Sequence, residues 1–518
     1  MDKQVGSFVH LALYRELAKA ADVADAKYID EFAVGLPIVG KVALSGRWPP
    51  LEGALEPEMT IEEIDARAWE LQDKIKRRVE RHCDAEMRQT LWQNTMADTA
   101  RGQCMGPFWT KAEVSQQVGT DAWIPTERFG LVQKNKTRGI DNAAKGAGLE
   151  LNAATAATEK LKVTSTDANV GLIREMHARL GRKMVEAWVL DESDAYRQIP
   201  VAPEHRRYAV IALANPETGR AAYFVMVGHS FGLVAAVYDY NRRSAIITDI
   251  LKKAFGILAR NYYDDKFGFT RKGLAAQECR LVADLHWWLG ADYARKKLQT
   301  GQDVTILGIR YDLIEMCLEV TEQRKQELIE AIEESERKNL LTPAYAGKLK
   351  GRLEHVAAHL WGRFGRSFLR PLSERQWQKS QDHQLGRALR RCLSFWRWLL
   401  TTRGVPRSLV NKTDGSSDVV AFTDGYYPAP RETSADPLPR VGWLLIDKRS
   451  GQALTGMWSV PCELIAKWLP RKTQICMVEA FAAVLLVDQY RHLLRNRKLI
   501  LFVDADAVLA ALVKGYSA

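Results

Sequence analysis

Seven cysteines are scattered through the 518 residues, and no two of them form a C-x-x-C pair. Their odd number and their spacing indicate neither a disulfide framework nor a cysteine-based zinc site, and favour a reducing compartment. The sequence has no run of about 18 apolar residues able to cross a bilayer, and no charged-then-apolar leader at its N-terminus. Internal repeats and low-complexity tracts are absent. The expectation is a soluble intracellular protein, cytoplasmic or nuclear, with no membrane partner. Acid is scarce in one region. Between residues 341 and 410 three carboxylates (Glu354, Glu374, Asp382) stand against 14 lysines and arginines, and this excess equals the +11 of the whole chain. A concentrated positive charge of this kind favours a polyanionic partner.

With 47% hydrophobic residues the chain can fill several cores, and three or four domains are expected. Residues 1–110 read as helices, among them one long helix over 61–92 whose charges alternate in sign. Residues 128–142 read as two strands joined by a basic tip. A helix over 167–182 leads into the strand 185-VEAWVL-190, which ends on Asp191. A strand pair follows, then a helix from Gly232 to about 258, and then the stretch 261-NYYDDKFGF-269. From 321 to about 400 the chain is helical and basic. The polar segment 411–418 marks a boundary, and beyond it strands at 419–425, 441–447 and 498–506 enclose a helix over 474–495.

The adjacent acids Asp264 and Asp265 carry the first chemical question. One aspartate suits a turn, whereas two repel each other, the more so when water is withdrawn. A third carboxylate, Asp191, ends a buried strand that could lie beside the hairpin. Three carboxylates on neighbouring strands can hold two Mg²⁺ ions roughly 3.5–4 Å apart, the arrangement that serves phosphoryl transfer.

The runs 191-DESDAYRQIPV-201, 230-SFGL-233 and 262-YYDD-265 resemble the palm of reverse transcriptases, in particular those of retroviral-type and DIRS-type retrotransposons. Asp264 follows Asp191 by 73 residues, an ordinary gap there. The segments 289-LGADYARKK-297 and 304-VTILGI-309 resemble the lysine-bearing loop and the strand that follow the palm. The resemblance implies that Asp191, Asp264 and Asp265 are metal ligands. It makes Tyr196 the aromatic gate whose ring excludes a 2′-hydroxyl. Phe231 and Gly232 would line the nucleotide pocket, and Lys136 and Arg138 of 136-KTRGID-141 would hold the triphosphate. Ser230 stands where the family usually has proline.

Downstream, Asp424, Glu479 and Asp504 fall on strand, helix and strand, an order similar to a ribonuclease H domain whose acids bind two Mg²⁺. The expected fourth acid and last helix are missing before Ala518, so this domain is expected to be incomplete and weak or inactive in cleaving hybrids. The implied architecture is α+β and multidomain. A helical N-terminal extension (1–110) precedes the fingers and palm (111–320) of a right-hand polymerase. A basic thumb and connection (321–410) and a truncated ribonuclease H-like α/β domain (411–518) follow. The implied activity is RNA-directed DNA polymerisation, a nucleotidyl transfer from a dNTP to a primer 3′-hydroxyl, with Mg²⁺ or Mn²⁺ and with RNA template, DNA primer and RNA–DNA hybrid as partners. The alternative is a decayed or co-opted palm that binds nucleic acid or a protein without turnover. In the basic segment, Arg363, Arg366 and Arg370 stand at helical spacing, either tracking phosphates or forming a solvated face.

Overall fold

The computed structural model describes residues 9–53, 56–81, 84–133, 136–143, 151–181, 183–402, 406–409, 418–428, 438–468, 470–471, 473–495 and 497–514. Most of the polar boundary 411–418 lies outside them. The chain divides into two compact units, Met1–Leu307 and Gly308–Ala518. None of the described helices is long and apolar enough to cross a membrane.

In the first unit, the strand Val185–Asp191 is buried at four consecutive positions, 187–190. Such a run fits a strand covered on both faces. It pairs antiparallel with Asp265–Arg271 on one side and Gln299–Gly301 on the other, and Ala259–Tyr262 closes the sheet. Trp188 and Leu190 enter a core built from the helices Val234–Lys253 and Ala275–Trp288. The N-terminal helices Leu11–Ala20 and Tyr28–Val34 belong to that same core, through Tyr14, Ala18, Tyr28, Ile29 and Phe32. Their attachment is also ionic. Asp25 accepts two bonds from Arg242, at 2.8 Å and 3.0 Å, with both side chains no more than 1% exposed.

A second, five-stranded sheet has the order Cys104–Phe108, Ala221–Met226, Val210–Ala214, Pro125–Gln133, Lys136–Asp141. The expected long helix over 61–92 is instead a set of separate helices, Ile61–Ala66, Ala68–Arg81 and Ala85–Ala100. A Thr60–Glu63 capping box opens the first helix, and at the later break Asp84 caps the start of the last, accepting from the Met87 amide.

The second unit begins with the antiparallel strands Ile309–Asp312 and Cys317–Val320, followed by the helices Glu322–Lys338, Pro343–Ala358, Arg370–Gln376 and Arg387–Thr401. Residues 361–370 do not form the helix expected from their spacing. Gly362 (φ 61°), Arg363 (φ 53°) and Gly365 (φ 93°) turn the backbone left-handed, leaving two short 3₁₀ turns. Gly365 is required there, since a Cβ would lie 2.9 Å from the Trp396 ring. The arginines therefore share no helical face: Arg366 pairs with Glu354 at 3.1 Å and Arg370 with Glu374 at 2.9 Å. The C-terminal sheet has the order Ala453–Ser459, Arg440–Asp447, Val419–Tyr426, Leu499–Val503, with the last pair parallel. The helix Ile475–Gln489 packs Val478, Ala482 and Leu486 onto Val419, Ala421 and Leu445.

Candidate active sites

The two aspartates of the YYDD run have different positions. Tyr262 and Asp265 are cross-strand partners, so Tyr263 and Asp264 are the central residues of a two-residue hairpin turn. Such turns want positive φ, and Tyr263 supplies it at 52° despite its bulk. Strain of this kind collects at functional sites. Asp265 is the first strand residue and lies opposite Asp191 in register. Directly opposed like charges destabilise a sheet. Withdrawal of water, followed by the charges of Asp264 and Asp191, pushes the Asp265 carboxyl up to about 7. Asp264 is exposed at the turn, and its carboxyl is also raised, by partial loss of water and by Asp191 and Glu192.

The strand end is braced from the neighbouring loop. Ala294 N donates to Asp191 O at 2.8 Å and Ser193 N to Asp292 O at 2.9 Å, and this carries Lys297 to Asp191, Nζ to Oδ2 at 2.5 Å. Among the described residues the three aspartates do not converge tightly enough to form a ready ligand cluster.

One residue further along each strand, the side chains point the other way. Glu192 and Lys266 meet in the core, Oε1 to Nζ at 3.0 Å, with side chains 0% and 1% exposed. Lys266 also donates to Ser244 Oγ at 2.8 Å, and His286 Nε2 lies 3.3 Å from Glu192. Burial alone would raise the Glu192 carboxyl, but Lys266, His286 and Arg243 hold it below its ordinary value. Burial lowers the Lys266 ammonium against the pull of Glu192. The only hint of this pair in the sequence is a charged residue beside each aspartate, and its significance needs the fold.

Beside the hairpin, Tyr196 packs edge-on against Phe231 (centroids 5.2 Å apart) and Tyr240 (5.5 Å). Burial, then the charge of Asp264, raises the Tyr196 phenol to about 12, so it stays a neutral ring. Gly232 has φ 103°, and a Cβ on it would stand 2.6 Å from Asp141 O. No other residue fits there. Asn152 clasps the same turn, donating to Gly232 O at 2.8 Å and accepting from Val234 N at 2.9 Å. Ser230 is buried, and the preceding Gly228 passes so close to Arg197 O that a Cβ would lie 2.0 Å from it. Backbone contact thus fixes the turn that leads into Ser230.

Arg138 is exposed on the strand Lys136–Asp141 and within ion-pair distance of none of the three aspartates; the side chain of Lys136 lies outside the described residues. Sequence reasoning missed the network below them. Arg128 makes a two-pronged bond to Asp141 (2.7 Å and 3.1 Å), and Asp98 accepts from Arg128, Arg101 and Arg197.

The second acidic set does converge. Asp424 on its strand, Glu479 on its helix and Asp504 just after Leu499–Val503 bring ligand oxygens within 4.8 Å of one another. The parallel pairing of Val419–Thr423 with Leu499–Val503 puts the two aspartates at the same sheet end. Gly425 lets the helix approach, since a Cβ there would meet Glu479 N at 2.9 Å. Glu479 is buried and its Oε2 has no hydrogen-bond partner. Burial, then Asp504 and Asp424, raises its carboxyl to about 7.

Two expectations follow. Lys266→Met, which strands Glu192 in the core, should cost about 3–5 kcal/mol in denaturant unfolding, and Glu192→Met with Lys266→Leu should recover most of it. For Glu479, the folded value of about 7 lies above the unfolded value of about 4.3. Its stabilising protonated form is fully present below the lower value and lost as pH rises through the upper one. In EDTA, Glu479→Gln should therefore melt higher than wild type at pH 8 and nearly alike at pH 4.5, and added Mg²⁺ should close the gap at pH 8.

No protein-family model and no curated protein matches the chain. Solved structures similar to it include a foamy viral protease-reverse transcriptase in complex with double-stranded DNA, at TM-score 0.44 and 13% identity, covering 97% of this chain and 76% of that one. Another is a foamy viral protease-reverse transcriptase in complex with an RNA/DNA hybrid, at TM-score 0.45 and 11% identity, covering 98% of this chain and 61% of that one. At such identity the side chains of both sites have to be argued from their own geometry.

Proposed function

We propose that the protein is an RNA-directed DNA polymerase of a retroelement, with a ribonuclease H-like second site. The observation that carries this reading is the opposition of Asp191 and Asp265 at a strained hairpin turn that also presents Asp264. Oxygen-only donors and a carboxyl raised by loss of water and then by its like-charged neighbours fit divalent cations, Mg²⁺ first and Mn²⁺ as substitute. Bound there, such ions would neutralise the charge that develops when a primer 3′-hydroxyl attacks the α-phosphate of a dNTP and pyrophosphate leaves. The three aspartates supply the negative charge that holds them. The ring of Tyr196, packed edge-on against Phe231 and Tyr240, would fill the space a 2′-hydroxyl needs. Lys136 and Arg138 would receive the triphosphate. At the second site, Asp424, Glu479 and Asp504 fit the same ions, and the unpartnered Glu479 oxygen favours a ligand.

The ion pair of Lys297 with Asp191 favours a second reading, a palm that binds nucleic acid without turnover. Primer extension on an RNA template with Mg²⁺ and dNTPs separates the two. Wild type should extend, and Asp264→Asn should lose more than about 100-fold, beyond what is typical for residues that only orient a metal ligand. A folded wild type that binds primer–template but never extends it establishes the second reading. If extension is seen, Tyr196→Ala should raise incorporation of ribonucleotides relative to deoxynucleotides by about 10–100-fold, the range open to an apolar pocket rejecting one hydroxyl.

A further inference from the structure

The Gly308–Ala518 unit carries an open concavity of about 490 Å³ lined by Phe368, Arg387, Arg390, Arg391 and Ser394. It follows from the helix Arg387–Thr401, which buries Leu389, Cys392, Leu393, Trp396, Leu399 and Leu400 on one side. Arg387, Arg390, Arg391, Ser394 and Trp398 are left exposed on the other. The arginines do not serve the helix. All three fall in its first five residues, where the helix dipole repels cations, with no acid in the first turn and no side-chain cap from Gly386. Arg387 also stands one turn from Arg391, a repulsive spacing for like charges. Arg390 is held by Leu385 O at 3.1 Å and Asn339 Oδ1 at 2.6 Å. Arg387 and Arg391 form no ion pair among the described residues.

Next to these cations lies a flat aromatic surface. Phe368 stacks on Phe395 with centroids 3.7 Å apart and planes 4° from parallel, yet Phe368 remains 41% exposed. One ring face is used by Phe395, and the ring also lines the concavity. Guanidinium forks match phosphate oxygens, and an open ring face accepts a nucleobase of any sequence. An acidic peptide would satisfy the arginines but not the ring.

We propose that this concavity binds single-stranded nucleic acid, with successive phosphates on Arg387 and Arg391 and a base stacked on Phe368. The site is independent of the polymerase reading. The test uses the full chain and a fluorescent 12-nucleotide oligo-dT or oligo-U, followed by anisotropy across a salt series. A saturating unlabelled primer–template duplex is present to occupy any duplex site. Arg387→Ala with Arg391→Ala should weaken binding by about tenfold or more and reduce the slope of log affinity against log salt by about 1.4, that is about 0.7 for each lost phosphate contact. Phe368→Ala should weaken binding by about tenfold without changing the slope, and Phe368→Trp should restore it. Oligo-dT and oligo-U arms differing by more than tenfold would assign the site to one of the two polynucleotides, within the proposal. Unchanged affinity and slope in the double variant overturn it, as does equal rescue of Phe368→Ala by Leu and by Trp. Displacement by poly-glutamate as effective as by oligonucleotide also overturns it. A chain without polymerase activity gives the same readings, so the two ideas fail separately.

Discussion

The contact on which the first site depends is the buried ion pair of Glu192 with Lys266. Taking two charges out of water is costly, and a buried pair seldom repays it in stability. What it supplies here is register. Side chains along a strand alternate with period two, so a one-residue slip of Asp265–Arg271 against Val185–Asp191 would drive Asp265 into the core and turn Lys266 outward. Both buried ions would lose their partners at once. The opposition of Asp191 and Asp265 on the outer face is thereby fixed from the inner face, and the left-handed backbone at Tyr263 is tolerated because the strands on either side cannot shift to relieve it.

The two carboxylate sites manage like charge by different means. On the hairpin, a lysine side chain delivered by a bonded loop offsets Asp191, and loss of water together with the remaining repulsion raises the carboxyls of Asp264 and Asp265. In the second unit the oxygens of Asp424, Glu479 and Asp504 are gathered within 4.8 Å. The sheet and helix force this convergence, through a parallel strand pair and a glycine under Glu479, and burial together with the two aspartates raises the Glu479 carboxyl. Carboxylates held together against their own repulsion are stored affinity for a cation.

Much of this was legible in the sequence where chemistry and periodicity coincide. The apolar run ending on Asp191, the turn at YYDD and the strand–helix–strand order of Asp424, Glu479 and Asp504 are all local patterns. What sequence could not supply were partners distant along the chain. Asp25 lies in a turn between two helices and Asp98 in the helix Ala85–Ala100, and nothing local marks them as the partners of Arg242, Arg128 and Arg197 in the core. Helical spacing over 361–370 misled for a different reason: the pattern was right, but two glycines permit left-handed turns that periodicity does not register.

Charge in the 341–410 segment makes the same point about composition. Its excess of arginine suggested a polyanion partner for the whole stretch, but most of these side chains are already engaged. Arg352, Arg366, Arg370 and Arg397 reach glutamates. Arg375 is nearly buried and donates to the carbonyls of Leu341, Asp382 and Gln384, splicing two loops together. Arg407 donates to Ala358 O. A guanidinium with its donors satisfied inside the fold has little left for a ligand, whereas one placed against a helix dipole with no acid near it retains its full demand for an anion. Net charge counts both kinds alike. Only the partner atoms separate the arginines that build the second unit from Arg387 and Arg391, which form no ion pair among the described residues and stand beside Phe368.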